Sequence, residues 1–295
     1  MSVGFWLAAL TLGCAYIALA WGVYLAARVL RFADITPDGT FPLGAAVAAA
    51  LLVHGVHPVW ATLLAMVAGY VTAILHTRAG VTDLLSGILV MTALYSVNLH
   101  VMGRSNLSLL ETETLATRFH ALVPATAAWS EDVTFGLLFL AVALLLGGGL
   151  SWYLKTDFGI AMRSVGDNPA MITAQGVDRR RMVELGLALA NGLVALSGGL
   201  IAQYQGFADV SMGVGTLVAG MAAVILGETL WSRGRSLVAT VVMVAVGALL
   251  FRSLVALALR VGLNPIDLKL VTALFVLGAL VLPKLRRSRM TGGGR

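Results

Sequence analysis

The chain has 295 residues, 59% of them hydrophobic and 12% charged, with a mean hydropathy of +0.92 and a net charge of +6. Soluble domains carry about 25% charged residues, so the composition excludes an ordinary soluble fold. The positive charge does not indicate nucleic-acid binding, because its placement follows the membrane topology described below. Cys14 is the single cysteine, which excludes a disulfide or a cysteine-based metal site within one chain.

The apolar residues form runs of about 20, the length of a helix that crosses a bilayer. The alternating ten-residue segments of a β-barrel are absent. We therefore predict an all-α, polytopic transmembrane helical bundle in a single domain, 1–295. In chain order the predicted spans are 4–27, 40–56, 58–76, 81–100, 133–154, 183–206, 212–230, 236–251 and 264–283.

Lys and Arg are unevenly distributed between the segments that join these spans. With the N-terminus outside, fifteen of them lie on the cytoplasmic side and five outside, as the positive-inside rule requires. This orientation places the C-terminus and segment 157–176 in the cytoplasm and the loop 101–132 outside. We expect a multi-pass protein of the cell (inner) membrane.

Two regions differ from uniform apolar spans. The span 81–100 is the most polar and is predicted to be broken or to line a cavity. Segment 252–262 is amphipathic, with Arg252 and Arg260 eight residues apart on one helical face. It is predicted to lie as an interfacial helix after a short eighth span.

The chain contains a short internal repeat. Residues 32–36 (FADIT) resemble 207–211 (FADVS), and 91–95 (MTALY) resemble 271–275 (VTALF). Five predicted spans separate the two FAD copies, so the copies face opposite sides of the membrane. This predicts an inverted-topology repeat, a common plan of transporters.

The polar interruption 155–181 carries helix-boundary signals between two apolar runs. Asn168 before Pro169 is typical of an N-cap with proline at the first helical position, and Gly176 of a helix end. These signals predict a cytoplasmic helix of about two turns over 168–176. It is either a solvated loop with helix-capping residues or a docking helix on which another protein acts.

The residues of the predicted docking helix and its approach fall into two sets. The coupling residues are Asp157, Gly159, Arg163, Gly166, Asp167, Asn168, Pro169 and Gly176. The apolar contacts are Ala161, Met162, Ala170, Met171 and Ile172.

Polar residues near or within several spans are candidates for a translocation pathway. They are Asp34, Thr36, Asp83, Ser86, Asn98, Asn191, Gln203, Gln205, Asp209 and Ser211. The aspartates can also be helix N-caps at the membrane interface, and the amides and hydroxyls can bond between helices. Glu228 is interpreted as a carboxylate that reaches the cytoplasmic interface. No metal site and no catalytic residue are predicted.

The pattern T-x-x-G-x-x-x-R-x-x-G-x-N-P runs from Thr156 to Pro169 and is followed by GVD at 176–178. It resembles the cytoplasmic coupling segment of ABC-importer permeases of the branched-chain amino acid and ribose type. Segments 82–98, 191–209 and 264–273 resemble an amino-acid uptake subgroup of that family that includes tryptophan-type systems. Together the resemblance extends over most of the chain.

The resemblance implies a permease subunit that takes up a small polar solute, most simply an amino acid, by alternating access. The implied partners are a cytoplasmic ABC ATPase, an extracellular (periplasmic) solute-binding protein, a second permease copy in a homodimer, and membrane lipid. The chain has no G-x-x-x-x-G-K-[ST] loop. ATP is therefore expected to be bound by the partner, with no cofactor on this chain and no enzyme activity.

Three other classes of membrane protein share some of these features. An ABC-type exporter or flippase permease would not depend on an external binding protein. A non-ABC membrane scaffold or receptor could keep a docking helix but would not need an inverted repeat. An intramembrane serine protease would need a Gly-x-Ser-Gly turn, which residues 195–198 (ALSG) only approach, and a histidine opposite it.

Overall fold

The computed structural model describes residues 3–78, 83–122, 131–230 and 236–262, with separate residues between 267 and 278. The helices are α1 Val3–Tyr24, α2 Pro37–Val53, α3 Pro58–Arg78, α4 Asp83–Met102, α5 Leu115–Leu122, α6 Glu131–Tyr153, α7 Asp157–Asp167, α8 Pro169–Ala174, α9 Arg179–Gln205, α10 Thr216–Leu230 and α11 Leu237–Arg260. A π-helix, Leu25–Val29, extends α1, and a 3-10 helix, Val210–Gly213, precedes α10. Two short strands, β1 Asn106–Ser108 and β2 Phe207–Asp209, pair antiparallel.

Six helical stretches of the described chain are long and apolar enough to cross a membrane. They are Gly4–Val29, Leu84–Met102, Val133–Tyr153, Arg179–Gln205, Val210–Leu230 and Leu237–Arg260. The apolar stretches Pro37–Val53 and Pro58–Tyr70 are shorter. The predicted polytopic helical bundle is confirmed. The count of nine spans stays a prediction, and the ninth, 264–283, lies mostly outside the described residues.

Helix α9 is the centre of the bundle, with α1, α2 and α3 packed around it. Glycines allow these helices to approach α9 closely. A Cβ added to Gly22 would collide with the carbonyl oxygen of Ala190, and one added to Gly44 would collide with the backbone of Ala195. Because apolar side chains gain little by leaving lipid for one another, close packing through small residues is a main source of helix association in membranes.

The bundle has two distinct ends. At one end α7 and α8 pack beside the start of α9 and against the π-helix that follows α1; we call this the α7–α8 end. At the other end, where α9 finishes, β1 pairs with β2; we call this the strand end. α1 runs from the strand end to the α7–α8 end, since Ala15 accepts a hydrogen bond from Ser197 on α9 and Val29 packs against Gly166.

Helices α2 and α10 begin inside the bundle and not at its surface. Thr36, which precedes α2, lies 3.0 Å from the side-chain oxygen of Asn191. Asn191 is about 18 Å along α9 from Arg179 and about 21 Å from Gln205, at 1.5 Å per residue. The chain therefore enters from the α7–α8 end over residues 30–36 before it can start α2.

The start of α10 lies at the same depth, because it is bonded to the first turn of α2. Asp38 accepts hydrogen bonds from the backbone N–H groups of Leu217 at 2.8 Å and Gly215 at 3.2 Å. The chain reaches this point from the strand end through β2 and the 3-10 helix. The predicted spans 40–56 and 212–230 therefore begin as two helix N-termini that meet in the middle.

Three expectations from the sequence are corrected. Helix α11 continues to Arg260 without interruption, so residues 252–260 are its last turns and not a separate interfacial helix. The reason is that their arginines lie over aromatic rings of α1. Helix α4 is continuous over Asp83–Met102, so the broken-span alternative is wrong, and the alternative that it lines a cavity stays a prediction. The segment 101–132 is not a plain loop, since it contains β1 and α5.

Candidate functional site

The α7–α8 unit, residues 157–174, is built by a series of helix caps. Thr156 caps α7 by accepting a hydrogen bond from Gly159 N–H. Asn168 ends α7 and caps α8, accepting from Met171 N–H at 3.2 Å, with Pro169 as the first helical residue. Gly176 follows with a φ of +85°, the left-handed conformation in which glycine is favoured. The predicted short helix is observed, but α7 before it was not predicted.

The inner face of the unit is fixed to the bundle. Val165, Ile172 and Met182 form a small apolar cluster that joins α7, α8 and α9. Met162 is fully buried. The prediction that Met162 and Ile172 are surface contacts is therefore wrong: both side chains hold the unit in place.

Two glycines set how closely α7 lies against its neighbours. A Cβ on Gly166 would collide with the carbonyl oxygen of Val29, and one on Gly159 would collide with the backbone at Tyr153 and Leu154. Gly166 thus brings α7 into direct contact with the π-helix after α1. A displacement of α7 would therefore act directly on the π-helix.

Three apolar side chains of the unit are exposed. Phe158 is 60% exposed, Ile160 47% and Met171 59%. The exposed residues Arg179, Arg180 and Arg181 begin α9 beside them. Exposed apolar side chains rimmed by charge are typical of a protein-binding surface.

Ion pairs connect the π-helix region to two other helices. Arg31 lies 2.7 Å from Asp167 at the end of α7, and Arg28 lies 2.6 Å from Glu228 near the end of α10. Arg31 has a φ of +52°, a left-handed conformation that a non-glycine residue adopts only when its surroundings impose it. Glu228 therefore has a specific partner, where the sequence predicted only contact with the interface.

The central polar cluster consists of Asp34, Thr36 and Asn191, all buried. The backbone N–H and hydroxyl of Thr36 donate to Asp34 Oδ1 at 2.8 and 2.6 Å. Asn191 Nδ2 donates to Asp34 Oδ2 at 3.0 Å. Both carboxylate oxygens of Asp34 are therefore bonded, which is what a buried ionisable group in a membrane requires.

Beside this cluster lies the junction of α2 and α10. The Asp38 carboxylate also accepts a hydrogen bond from the Thr216 hydroxyl at 3.0 Å, so it caps α10 in the way that favours an acidic group at a helix N-terminus. Two buried polar atoms at the junction, Thr40 Oγ1 and Asn98 Oδ1, find no hydrogen-bond partner among the residues that the structure describes. Asn98 instead donates to the Gly39 carbonyl at 3.3 Å.

At the strand end, Asp209 and Ser211 repeat the turn made by Asp34 and Thr36. Both the backbone N–H and the hydroxyl of Ser211 donate to Asp209 Oδ1, and Asn106 on β1 donates to the other oxygen at 3.3 Å. Partial burial opposes the charge on Asp209, but these hydrogen bonds outweigh it and hold its pKa below the ordinary value of 3.8.

The remaining pathway candidates are dispersed. Gln203 is buried, donates to Thr62 at 2.8 Å and accepts from Leu115 N–H at 3.0 Å, so its amide joins α9 to α3 and α5. Gln205 is exposed at the strand end and Ser86 is buried in α4. The side chain of Asp83 lies outside the described residues. Of the ten candidates, the structure gathers Asp34, Thr36 and Asn191, with Asn98 nearby on α4.

Sequence reasoning missed Asp38, Arg28 and Arg31. Asp38 directly precedes Gly39-Thr40, and the same dipeptide recurs at Gly215-Thr216. This pattern does not show that Asp38 caps α10, the helix that starts at the second dipeptide. Arg28 and Arg31 enter the sequence prediction only as positive charges that set the membrane orientation. In the described part of the chain no group of three or more His, Cys, Asp or Glu residues could hold a metal ion.

The helical bundle, its apolar spans and its polar middle define a multi-pass membrane protein. The family model "Branched-chain amino acid transport system / permease component" matches residues 5–282. The chain therefore belongs to this permease family of ABC transport systems. The family is one of transport subunits and not an enzyme class.

Two relatives match over most of the chain. A "Tyrosine transport system permease protein" of Clostridioides difficile (strain R20291) is 38% identical over 274 residues, which cover 92% of this chain and 88% of the relative. An uncharacterized protein of Rickettsia prowazekii (strain Madrid E) is 30% identical over 260 residues, or 86% of this chain and 89% of that protein. No solved structure matches the chain significantly.

Proposed function

We propose that this permease imports an amino acid, driven by a separate cytoplasmic ABC ATPase that docks on the α7–α8 unit. The observation that carries the proposal is the two-sided character of that unit. Its inner face is packed rigidly on α9 and the π-helix, whereas Phe158, Ile160 and Met171 face outward. ATP is bound by the partner, and this chain needs no cofactor of its own.

The contacts of α7 provide a route from the ATPase to the membrane centre. Motion of α7 would act on the π-helix through Gly166 and Val29, and through the Arg31–Asp167 ion pair. Residues 30–36 connect the π-helix to Asp34 and Thr36, and so to the start of α2. We propose that this stretch carries the movement that opens the pathway alternately to each side, as in rigid-body switching.

We further propose that the pathway passes the junction of α2 and α10, lined by the predicted residues around Asp34. Two features of the geometry support an inverted repeat. The Asp34–Thr36 and Asp209–Ser211 turns have the same hydrogen bonds. The helix after each turn packs on the helix that precedes the other turn. Gly44 of α2 lies against α9, and Gly220 of α10 lies against Val23 of α1. Helix N-termini that meet in mid-membrane are typical of transporter binding sites.

The proposal includes further features of the assembly. The α7–α8 end is cytoplasmic and the N-terminus outside, with nine spans in all. A solute-binding protein docks at the strand end, and a second permease copy completes a dimer. The name of the C. difficile relative supports an amino acid, and specifically tyrosine, as the solute to test first.

The docking proposal is tested by charge substitution on the outer face of the unit. Phe158→Glu with Met171→Glu should abolish co-purification of a co-expressed ATPase subunit without loss of membrane insertion, because both side chains are exposed. The matched control is Leu110→Glu, which should leave ATPase co-purification unchanged, because Leu110 is 85% exposed at the opposite, strand end. This control is judged by co-purification alone, since the binding protein is proposed to dock at that end. Normal co-purification and uptake in the double variant would contradict the proposal. Transport out of the cytoplasmic side that does not depend on an external binding protein would instead favour an exporter or flippase.

A further inference from the structure

Arg252 places a positive charge within the apolar part of the bundle. Helix α11 runs antiparallel to α1, because Trp21 Nε1 donates to the Val241 carbonyl at 2.9 Å and Gly13 lies against Arg252. Arg260 ends α11 at the strand end, where it lies over the ring of Phe5. Arg252 is two helical turns deeper, about 12 Å at 1.5 Å per residue.

The side chain of Arg252, which is half-buried, extends away from the strand end and toward the middle of the bundle. Helical side chains tilt toward the N-terminus of their helix, which for α11 is the α7–α8 end. The guanidinium accordingly lies 4.1 Å from the ring centroid of Tyr16, one turn farther along α1 than Gly13. An arginine that reached for lipid headgroups would extend in the opposite direction.

The described surroundings of Arg252 offer it an aromatic ring and not a carboxylate. Among the residues that the structure describes, no carboxylate lies within 4.0 Å of its guanidinium. Charged side chains inside a membrane nearly always have a partner or mark the path of a solute. Within the described residues, the charge of Arg252 is therefore balanced only by the face of the Tyr16 ring.

A line of aromatic contacts leads from Arg252 to the junction of α2 and α10. The Tyr16 ring stacks on Phe41 with a centroid distance of 5.9 Å and an interplanar angle of 27°. Phe41 lies one turn after Asp38, which caps α10. The guanidinium, the two rings and the capped start of α10 thus form a series of contacts from α11 through α1 to α2.

We propose that Arg252 binds the carboxylate of the amino acid as it passes, and so determines which solutes the permease accepts. The inference rests on the proposed amino-acid import. A guanidinium matches a carboxylate with two parallel hydrogen bonds, and the half-buried ring of Tyr16, backed by the buried ring of Phe41, provides an apolar surface beside it. A lipid phosphate offers the same oxyanion chemistry, but the side chain extends away from the strand end, where headgroups would lie, and this favours the solute.

The experiment compares Arg252→Gln with Arg260→Gln in proteoliposomes that contain the permease, its ATPase and saturating binding protein. Arg260 is the matched control, being on the same face of α11 and also over an aromatic ring. ATP-driven uptake of radiolabelled L-tyrosine should fall about tenfold or more in Arg252→Gln, as expected when one partner of a desolvated charge pair is removed. Arg252→Lys should recover part of the rate, and Arg260→Gln should transport normally. ATPase co-purification should be unchanged in all three.

Each other outcome has a defined meaning. Normal uptake by Arg252→Gln would overturn the inference while leaving the import proposal intact. Failure of the unsubstituted permease to take up L-tyrosine would count against the proposed solute, independently of Arg252. If vesicles without anionic lipids lower wild-type uptake to the level of Arg252→Gln, and the variant is insensitive to lipid, then the oxyanion is a lipid phosphate and the inference is wrong. A lower melting temperature in Arg252→Gln that Arg252→Lys does not restore would assign a packing role and also contradict it.

Discussion

Asp34 and Asp209 show how one local motif serves different environments. Each aspartate accepts hydrogen bonds from the backbone and hydroxyl of the residue two positions later. Asp34 is 5% exposed at the centre of the bundle, whereas Asp209 is partly exposed at the strand end. The sequence showed the repeated motif but not the depth, because depth depends on Asn191 approaching from a distant helix.

Replacement of each aspartate by asparagine should have unequal effects. In Asp34→Asn the new amide N–H group faces either Thr36 or Asn191, and both of these residues already donate hydrogen bonds to this position. Because two donors then face each other, the substitution should lower the free energy of unfolding by about 1–3 kcal/mol. Asp209→Asn should cost less, since water can replace its lost contacts. Thermal unfolding in detergent and uptake by reconstituted permease measure both. Equal losses would indicate that Asp34 is not the deeper group.

The lowered pKa of Asp209 predicts a pH dependence with a definite sign. Because the folded-state pKa lies below the ordinary 3.8, the charged form is favoured by folding. Its contribution to stability is therefore fully present above pH 3.8 and is lost as the pH falls through the lowered pKa. The difference in melting temperature between wild type and Asp209→Asn should be constant from pH 5 to 7 and shrink under stronger acid. A difference that disappears already between pH 5 and 7 would contradict the lowered pKa.

In the α7–α8 unit, the sequence predicts helix α8 but not helix α7. The Asn168-Pro169 and Gly176 signals correctly predicted α8, because capping is a local property. Helix α7 also has a local signal, Thr156 followed by Asp157, which was not interpreted as a cap. The burial of Met162 and Ile172 could not be predicted, since it depends on the position of α9 and the π-helix.

The packing of α7 on the π-helix predicts the effect of adding one methyl group. Gly166→Ala should destabilise the protein by about 1–3 kcal/mol, as overpacking does, because the new Cβ meets the Val29 carbonyl. Gly148→Ala on α6 is the matched control, since nothing lies within 4 Å of that position. It should be neutral or stabilising by up to about 1 kcal/mol. Melting temperatures that fall equally in the two variants would show that the contact is not tight.

For the whole molecule, hydropathy correctly predicted a polytopic helical bundle, because the length of an apolar run is fixed by the thickness of the membrane. It did not predict that α2 and α10 begin inside the bundle. Their N-termini are satisfied by Asp38 and by the turns at Asp34 and Asp209. Such long-range satisfaction of backbone groups is not visible in a hydropathy profile.

The side of the membrane on which α7 and α8 lie decides whether an ATPase can reach them. In a Cys14→Ala background, single cysteines at Thr173 on α8 and at Ser108 on β1 would be labelled with a membrane-impermeant maleimide, since both positions are exposed. Thr173→Cys should react only in inside-out vesicles and Ser108→Cys only in right-side-out vesicles. Labelling of Thr173→Cys from the outside would place the docking surface beyond the reach of any cytoplasmic ATPase and contradict the proposed function.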